Sequence, residues 1–162
     1  MSRYTPYDSV LIIKALFSID EAFKKHNATT RLEFYKLIDD LVVNHRASLQ
    51  SMKNTFVEGF VSLTARERDP RNLMIYLSTM RIVIIDFEYD DEQNTALWDA
   101  ISRYFPIHFG HRPTDPFNIT EGDLKLRLRS CIGASSRFAP LAFPFLIQKL
   151  DAQTTANVKV SS

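Results

Sequence analysis

Apolar residues along this chain recur every three or four positions almost from end to end, and the pattern breaks at length only once, between Tyr104 and Thr120. That period specifies amphipathic helices. A chain made of such helices buries their apolar stripes against one another, which leaves layered all-α packing as the architecture. The interruption, YFPIHFGHRPTDPFNIT, holds three of the seven prolines, two of the four histidines and one of the four glycines. Proline fixes its own backbone and biases the preceding residue towards extended conformations. The pairs Phe105-Pro106, Arg112-Pro113 and Asp115-Pro116 therefore predict an ordered, extended excursion. A loop this long in a compact domain packs across neighbouring elements or carries function. It is expected to lie over the helices that flank it, burying Phe105, Pro106 and Phe109 and leading through Asp115-Pro116 into a cap at Thr120.

Seven helices are predicted, after a frayed end from Met1 to Pro6. The first starts at Asp8, turns Ile12, Leu16, Ile19 and Phe23 inward, and closes on Lys24 and Lys25, where cations favour the C-terminal end of the helix dipole. The second has a capping-box pattern at Thr30 and Glu33 and shares Tyr35, Ile38, Leu41 and Val42 on one face. The third, after Asn44-His45-Arg46, places Leu49, Met52, Phe56, Phe60 and Leu63 on one stripe. Asp69-Pro70 is the sharpest start: aspartate caps free amides and proline fits the first helical position. This fourth helix ends near Phe87 in RIVIIDF, apolar nearly all round, as suits a helix with neighbours on two sides. Asp90, Asp91 and Glu92 open the fifth, with Leu97, Ile101 and Tyr104 inward and Trp98 beside them. Thr120 and Asp123 cap the sixth. Its Leu124, Leu126 and Leu128 also alternate with cations, a strand signature, but Leu124, Leu128, Cys131 and Ile132 fit a helix and no partner strand exists. The seventh spans Ser136 to Leu150 with Phe138, Leu141, Ala142, Phe145 and Leu146 inward; Pro140 sits in its first turn and Pro144 is expected to kink it or delay its start.

Helices two and three, four and five, and six and seven form pairs at roughly 40-residue spacing, the range of HEAT and armadillo arrays. The fold class predicted is all-α, a segment of HEAT-like helical repeats, or α-solenoid, of about seven helices.

Composition narrows function by exclusion. The net charge is +1, which makes no electrostatic case for nucleic acid or an anionic membrane. No uncharged run approaches the ~18 apolar residues that span a bilayer, and LIIKALFSI carries Lys14 in its middle, unlike a secretory signal. The lone Cys131 forms no internal disulfide and suits a reducing compartment. A soluble protein of nucleus and cytoplasm is expected.

Candidate chemistry is sparse. His108 and His111 with Asp115 outline a metal site of an enzyme or carrier, since zinc takes imidazole and carboxylate; solvated or backbone-bonded histidines are the commoner occupants of such a loop. Cys131 would be a nucleophile beside a base, but it falls on an apolar helix face, where a small buried thiol is the usual occupant. Lys125, Arg127 and Arg129 resemble a basic patch, although Glu121 and Asp123 each stand four residues before one of these cations. Arg66, Glu67, Arg68, Asp69 and Arg71 read as a solvated turn of mixed sign. No phosphate-binding glycine loop, zinc-protease helix or nucleophile elbow occurs. No catalytic, cofactor-binding or metal residue is assigned, no cofactor is expected, and the chain is read as a non-enzyme.

The pieces FVEGF (Phe56 to Phe60), DPRNL (Asp69 to Leu73), YFPIHF (Tyr104 to Phe109), DPFNIT (Asp115 to Thr120), DLKLRLRSCI (Asp123 to Ile132), RFAPLAFPFLIQKLD (Arg137 to Asp151) and NVKV, in that order, resemble the Mms-nineteen family, called Met-eighteen in yeasts. The resemblance implies the N-terminal region of a longer HEAT-repeat scaffold, with residues 1–150 as its helical-repeat domain and 151–162 as the start of the next repeat or a tail. It implies work late in cytosolic iron–sulfur cluster assembly. The implied partners are the targeting-complex proteins and apo iron–sulfur clients of DNA repair, replication and transcription, without direct nucleic-acid contact or a membrane. No ligand or catalytic residue comes with it, because the implied role is that of an adaptor.

Overall fold

The computed structural model describes residues 3–110 and 116–160, with side chains described as far as residue 156. It is all-α among these residues: α1 (Pro6–Ser18), α2 (Asp20–Lys25), α3 (Ala28–Asn44), α4 (Arg46–Gln50), α5 (Asn54–Leu63), α6 (Pro70–Asp86), α7 (Asp91–Ser102), α8 (Glu121–Ile132), a 3₁₀ turn (Ser136–Phe138) and α9 (Ala139–Val160). The expected sixth helix is a helix and not a strand.

Capping chemistry sets most of the starts. Asp69 accepts from the amides of Arg71 and Asn72, with Pro70 leading α6. Thr120 and Asp123 form the reciprocal box that opens α8, and Asp90 and Gln93 form another at α7. A third box, Thr5 with Asp8, begins α1 at Pro6, inside the stretch expected to fray. At α3 the expected Thr30–Glu33 box is absent. Asn27 caps instead, accepting from the Thr30 amide, so the helix starts earlier and Glu33 is free to pair with Lys36.

Two expected helices are split. The first breaks at Ile19, which is exposed; Ile13, not Ile12, is the fully buried residue of that turn. Asp20 and Glu21 then start α2, favoured at a fresh positive helix end, and Asp20 accepts from Ser62 of α5. The third breaks before Lys53, whose φ of 51° lies in the left-handed region. Around it the hydroxyls of Ser51 and Thr55 donate to the carbonyls of Ser48 and Met52, the local competition that weakens serine and threonine inside helices. At the other end, α9 runs through Pro144 and past Leu150, where the seventh helix was expected to end.

The helices stand in two layers. α3, α6 and α8 pack side by side in one; α1 and α2, then α4 and α5, then α7, then the 3₁₀ turn with α9 follow one another in the second. The core between the layers includes Phe23, Tyr35, Phe56, Phe60, Tyr76, Leu97 and Phe138, all buried. Phe56 stacks on Phe87 at 4.5 Å between centroids, and Phe60 on Tyr76 at 6.1 Å. α6 has neighbours on two sides as expected, but Ile85 at its end is exposed.

The hydrogen bonds that tie one helix pair to the next join residues some 36 to 54 positions apart. Arg31 reaches Glu67 across 36 positions, Thr79 reaches Asp39 across 40, Asn94 reaches the Arg137 carbonyl across 43, and Cys131 reaches the Leu77 carbonyl across 54. The first three lie near the roughly 40-residue repeat, and the Cys131 tie reaches further. That is the bonding pattern of an array whose units bury their faces on their neighbours.

Candidate interaction site

The turn between α5 and α6, read from sequence as solvated, is built around a buried acid. The Glu67 side chain is 1% exposed. Arg31, in the first turn of α3, grips it with both arms of its guanidinium: Nε donates to Oε2 at 2.9 Å and Nη2 to Oε1 at 2.8 Å. The backbone amides of Arg68 and Asp69 donate to Oε1 at 2.9 Å each. Burial drives this carboxyl's pKa up, but the bonds from Arg31 and the two amides outweigh burial and hold it below the ordinary carboxylate value. Tyr104, at the foot of the proline loop, donates its hydroxyl to the Glu67 carbonyl at 2.9 Å. Turn, repeat and loop therefore meet at one residue.

Beside this clamp lies a cavity of about 630 Å³, walled by α2, α3 and the α5–α6 turn. Phe23, Tyr35 and Leu63 form its apolar part, and Lys24, Arg66 and Arg68 bring cations. Burial, then the charge of Glu67, pushes the Tyr35 phenol far above its usual pKa, so it stays neutral. Arg66 has φ of 67°, a left-handed conformation that a side chain rarely adopts.

Among the described residues of the proline loop the buried one is Ile107; Phe105 and Phe109 are half-buried and Pro106 is exposed, against the expectation that all three are buried. Phe105 turns its ring edge to Phe145 of α9, and the Phe109 amide donates to Glu121 in the first turn of α8. Alternation around Pro106 places Ile107, not its neighbours, against the core. Phe105, Ile107, Leu128, Ile132 and Leu146 then line an apolar groove of about 350 Å³.

His108 is exposed at the edge of this loop, while its expected companions His111 and Asp115 lie outside the described residues, as do the Arg112-Pro113 pair and the first residue of Asp115-Pro116. Cys131 is buried, as expected, and donates to the Leu77 carbonyl at 3.0 Å; burial pushes its thiol up to about 12. Of the basic run, Lys125 pairs with Glu121, Arg127 donates to Ser78 of α6, and Arg129 is exposed at the apolar groove. Sequence reasoning missed Arg31 and Glu67. The one signal was their separation, close to the repeat period.

Helix pairs in two layers, each tied to its neighbours one repeat away, make this an α-solenoid segment, a class whose broad faces hold other proteins. Residues 1–162 match the model of the family described as Dos2-interacting transcription regulator of RNA-Pol-II, and the chain belongs to that family. It is 32% identical over 165 residues to the "DNA repair/transcription protein mms19" of Schizosaccharomyces pombe, covering 100% of this chain and 16% of that protein. It is 30% identical over 158 residues to the "MMS19 nucleotide excision repair protein homolog" of Danio rerio, covering 97% and 15%. The human protein of that name is 32% identical over 148 residues, covering 90% and 14%. The resemblance read from the motifs thus holds over the whole chain, which spans about a sixth of the length of these curated relatives.

Proposed function

We propose that this chain is an interaction scaffold, contributing N-terminal repeats to an adaptor of cytosolic iron–sulfur cluster assembly. In this reading it acts by binding, in nucleus and cytoplasm. It holds targeting-complex proteins beside apo-proteins of DNA repair, replication and transcription that receive clusters. The observation that carries the reading is the roughly one-repeat spacing of the inter-helix ties, the bonding pattern of a repeat array, an architecture whose extended surfaces bind partners. Family membership supports the DNA repair and transcription context, which the relatives' names state of those proteins.

The test is an affinity pull-down of the 162-residue chain from extract of its own cells, read by mass spectrometry beside a full-length relative. Recovery of cluster-assembly subunits or iron–sulfur enzymes is the expected result. Recovery of chaperones alone, while the full-length relative retrieves those partners, would refute a binding role for these repeats.

A further inference from the structure

We propose that the apolar groove between the proline loop, α8 and α9 is the seat of one further helix in the layer of α3, α6 and α8. The same polypeptide supplies that helix beyond α9, as the length of the curated relatives allows. The proposal rests on the order of the layers and on family membership, not on any role in iron–sulfur assembly.

The two layers alternate along the chain. α2 leads across to α3, α5 to α6, and α7 to α8. Each helix added to the α3 layer closes the flank of the one before it. Asn72 and Thr79 of α6 bond the Ala28 carbonyl and Asp39 of α3. Arg127 and Cys131 of α8 bond Ser78 and the Leu77 carbonyl of α6. Beyond α8 no further helix of this layer stands among the described residues. The groove is lined from α8 by Leu128, Arg129 and Ile132, from the loop by Phe105 and Ile107, and from α9 by Leu146, with no residue of α6. It therefore opens on the flank of α8 that α6 does not cover.

α9 carries a second face of the same kind. Phe143, Ile147 and Leu150 are 66%, 58% and 63% exposed, and with Leu146 they recur at the spacing of one apolar helix stripe. Phe145, on another side of the helix, already packs edge-on against Trp98 and Phe105. Two apolar faces suit a helix with neighbours on two sides. The earlier helices of this layer are different. α5 exposes Asn54, Thr55, Glu58 and Ser62, and α7 exposes Asp91, Glu92, Thr95 and Asp99, all polar. Solvent faces in this layer are polar, so the α9 stripe is an interface face.

Continuity selects the occupant. A repeat buries its face only by stacking on a neighbour, and the vacant place prolongs the row α3, α6, α8. An amphipathic helix laid there covers Leu128 and Ile132 with one edge and the α9 stripe with the other. The proline loop gains a task from this: Phe105 and Ile107 complete the seat between α8 and α9.

The experiment is hydroxyl-radical footprinting of the 162-residue chain alone and of two longer proteins. One carries about 40 further residues, a single repeat, taken from the Schizosaccharomyces pombe relative after its matched stretch. The other is that full-length relative with this chain grafted in place of the stretch. Phe143, Ile147 and Leu150 are expected to oxidise readily in the chain alone. Their oxidation should fall about fivefold or more in a longer protein, as they become as buried as Phe56 and Leu97. Ile85, 47% exposed on α6, should oxidise equally in all three. Protection in either longer protein supports the seat, and undiminished oxidation of the stripe in both would overturn it. Equal protection of Ile85 would overturn it in favour of general shielding by the added mass. A stripe already protected in the chain alone, with a dimer's mass by light scattering, would overturn it in favour of a second copy. These readouts are independent of the pull-down, which tests the adaptor reading.

Discussion

Replacing Arg31 by methionine keeps most of the side chain's apolar length and removes its charge. The Glu67 carboxylate, 1% exposed, then keeps only the Arg68 and Asp69 amides. Breaking a buried pair from one side costs about 3–5 kcal/mol, because an uncompensated charge stays behind. Arg31 itself is 19% exposed, which puts the expectation near the lower end, at about 3 kcal/mol. For a chain of this size that lowers Tm by about 6–12 °C. The pH dependence carries the sharper sign. In the unaltered chain the Glu67 pKa is below its ordinary value of 4.5, so its stabilisation is fully present above 4.5 and lost as pH falls through the lower, folded value. In Arg31→Met burial, the largest single influence on this carboxyl, meets only the two amides, and the folded value is expected to rise above 4.5. The variant therefore recovers stability as pH is lowered from neutrality towards 4.5, over a range where the unaltered chain gains nothing from this group. Adding Glu67→Gln removes the stranded charge and should restore about half the loss. Thermal melts at several pH values decide it. A loss under about 1 kcal/mol, or a variant whose Tm deficit is independent of pH, would refute the clamp as the keystone of this turn.

Two further outcomes follow from packing. A Cβ on Gly59 would lie 2.2 Å from the Phe17 ring, which is itself tilted against Phe56; Gly59→Ala is expected to destabilise by about 1–2 kcal/mol despite alanine's better helix propensity, and a raised Tm would show that the ring moves aside freely. Cys131 is 0% exposed with its thiol pushed up to about 12, so Ellman's reagent should label it only on unfolding; rapid labelling of the folded chain at mildly alkaline pH would contradict the burial.

What the sequence made legible was local. Apolar spacing located every major helix, and Asp69-Pro70 and Thr120 with Asp123 marked two starts by capping chemistry alone. Breaks were harder to see, because Ile19 and the Ser51–Lys53 turn lie inside apolar stripes that run on as though the helix did. There the tertiary surroundings outweigh period: Ser62 bonds Asp20 from another helix, and Phe23 settles between Phe34 and Tyr35. The Arg31–Glu67 clamp was hidden for a related reason. A charged residue in a charged run reads as solvated, and burial of one member depends on a partner 36 positions away that no local pattern specifies. In the described part of the loop, which side chains turn inward was not legible, because Ile107 is buried where Phe105, Pro106 and Phe109 were expected.

The step of 36 to 54 positions in the ties between repeats has a mechanical consequence. Information cannot jump along this molecule. A disturbance at α9 reaches α3 through α7, α8 and α6 in turn, weakening at each interface, as in a row of coupled cells rather than a single globule. A substitution at the α5–α6 turn should therefore be felt first in the cells beside it, and its effect should fall off as a gradient along the axis.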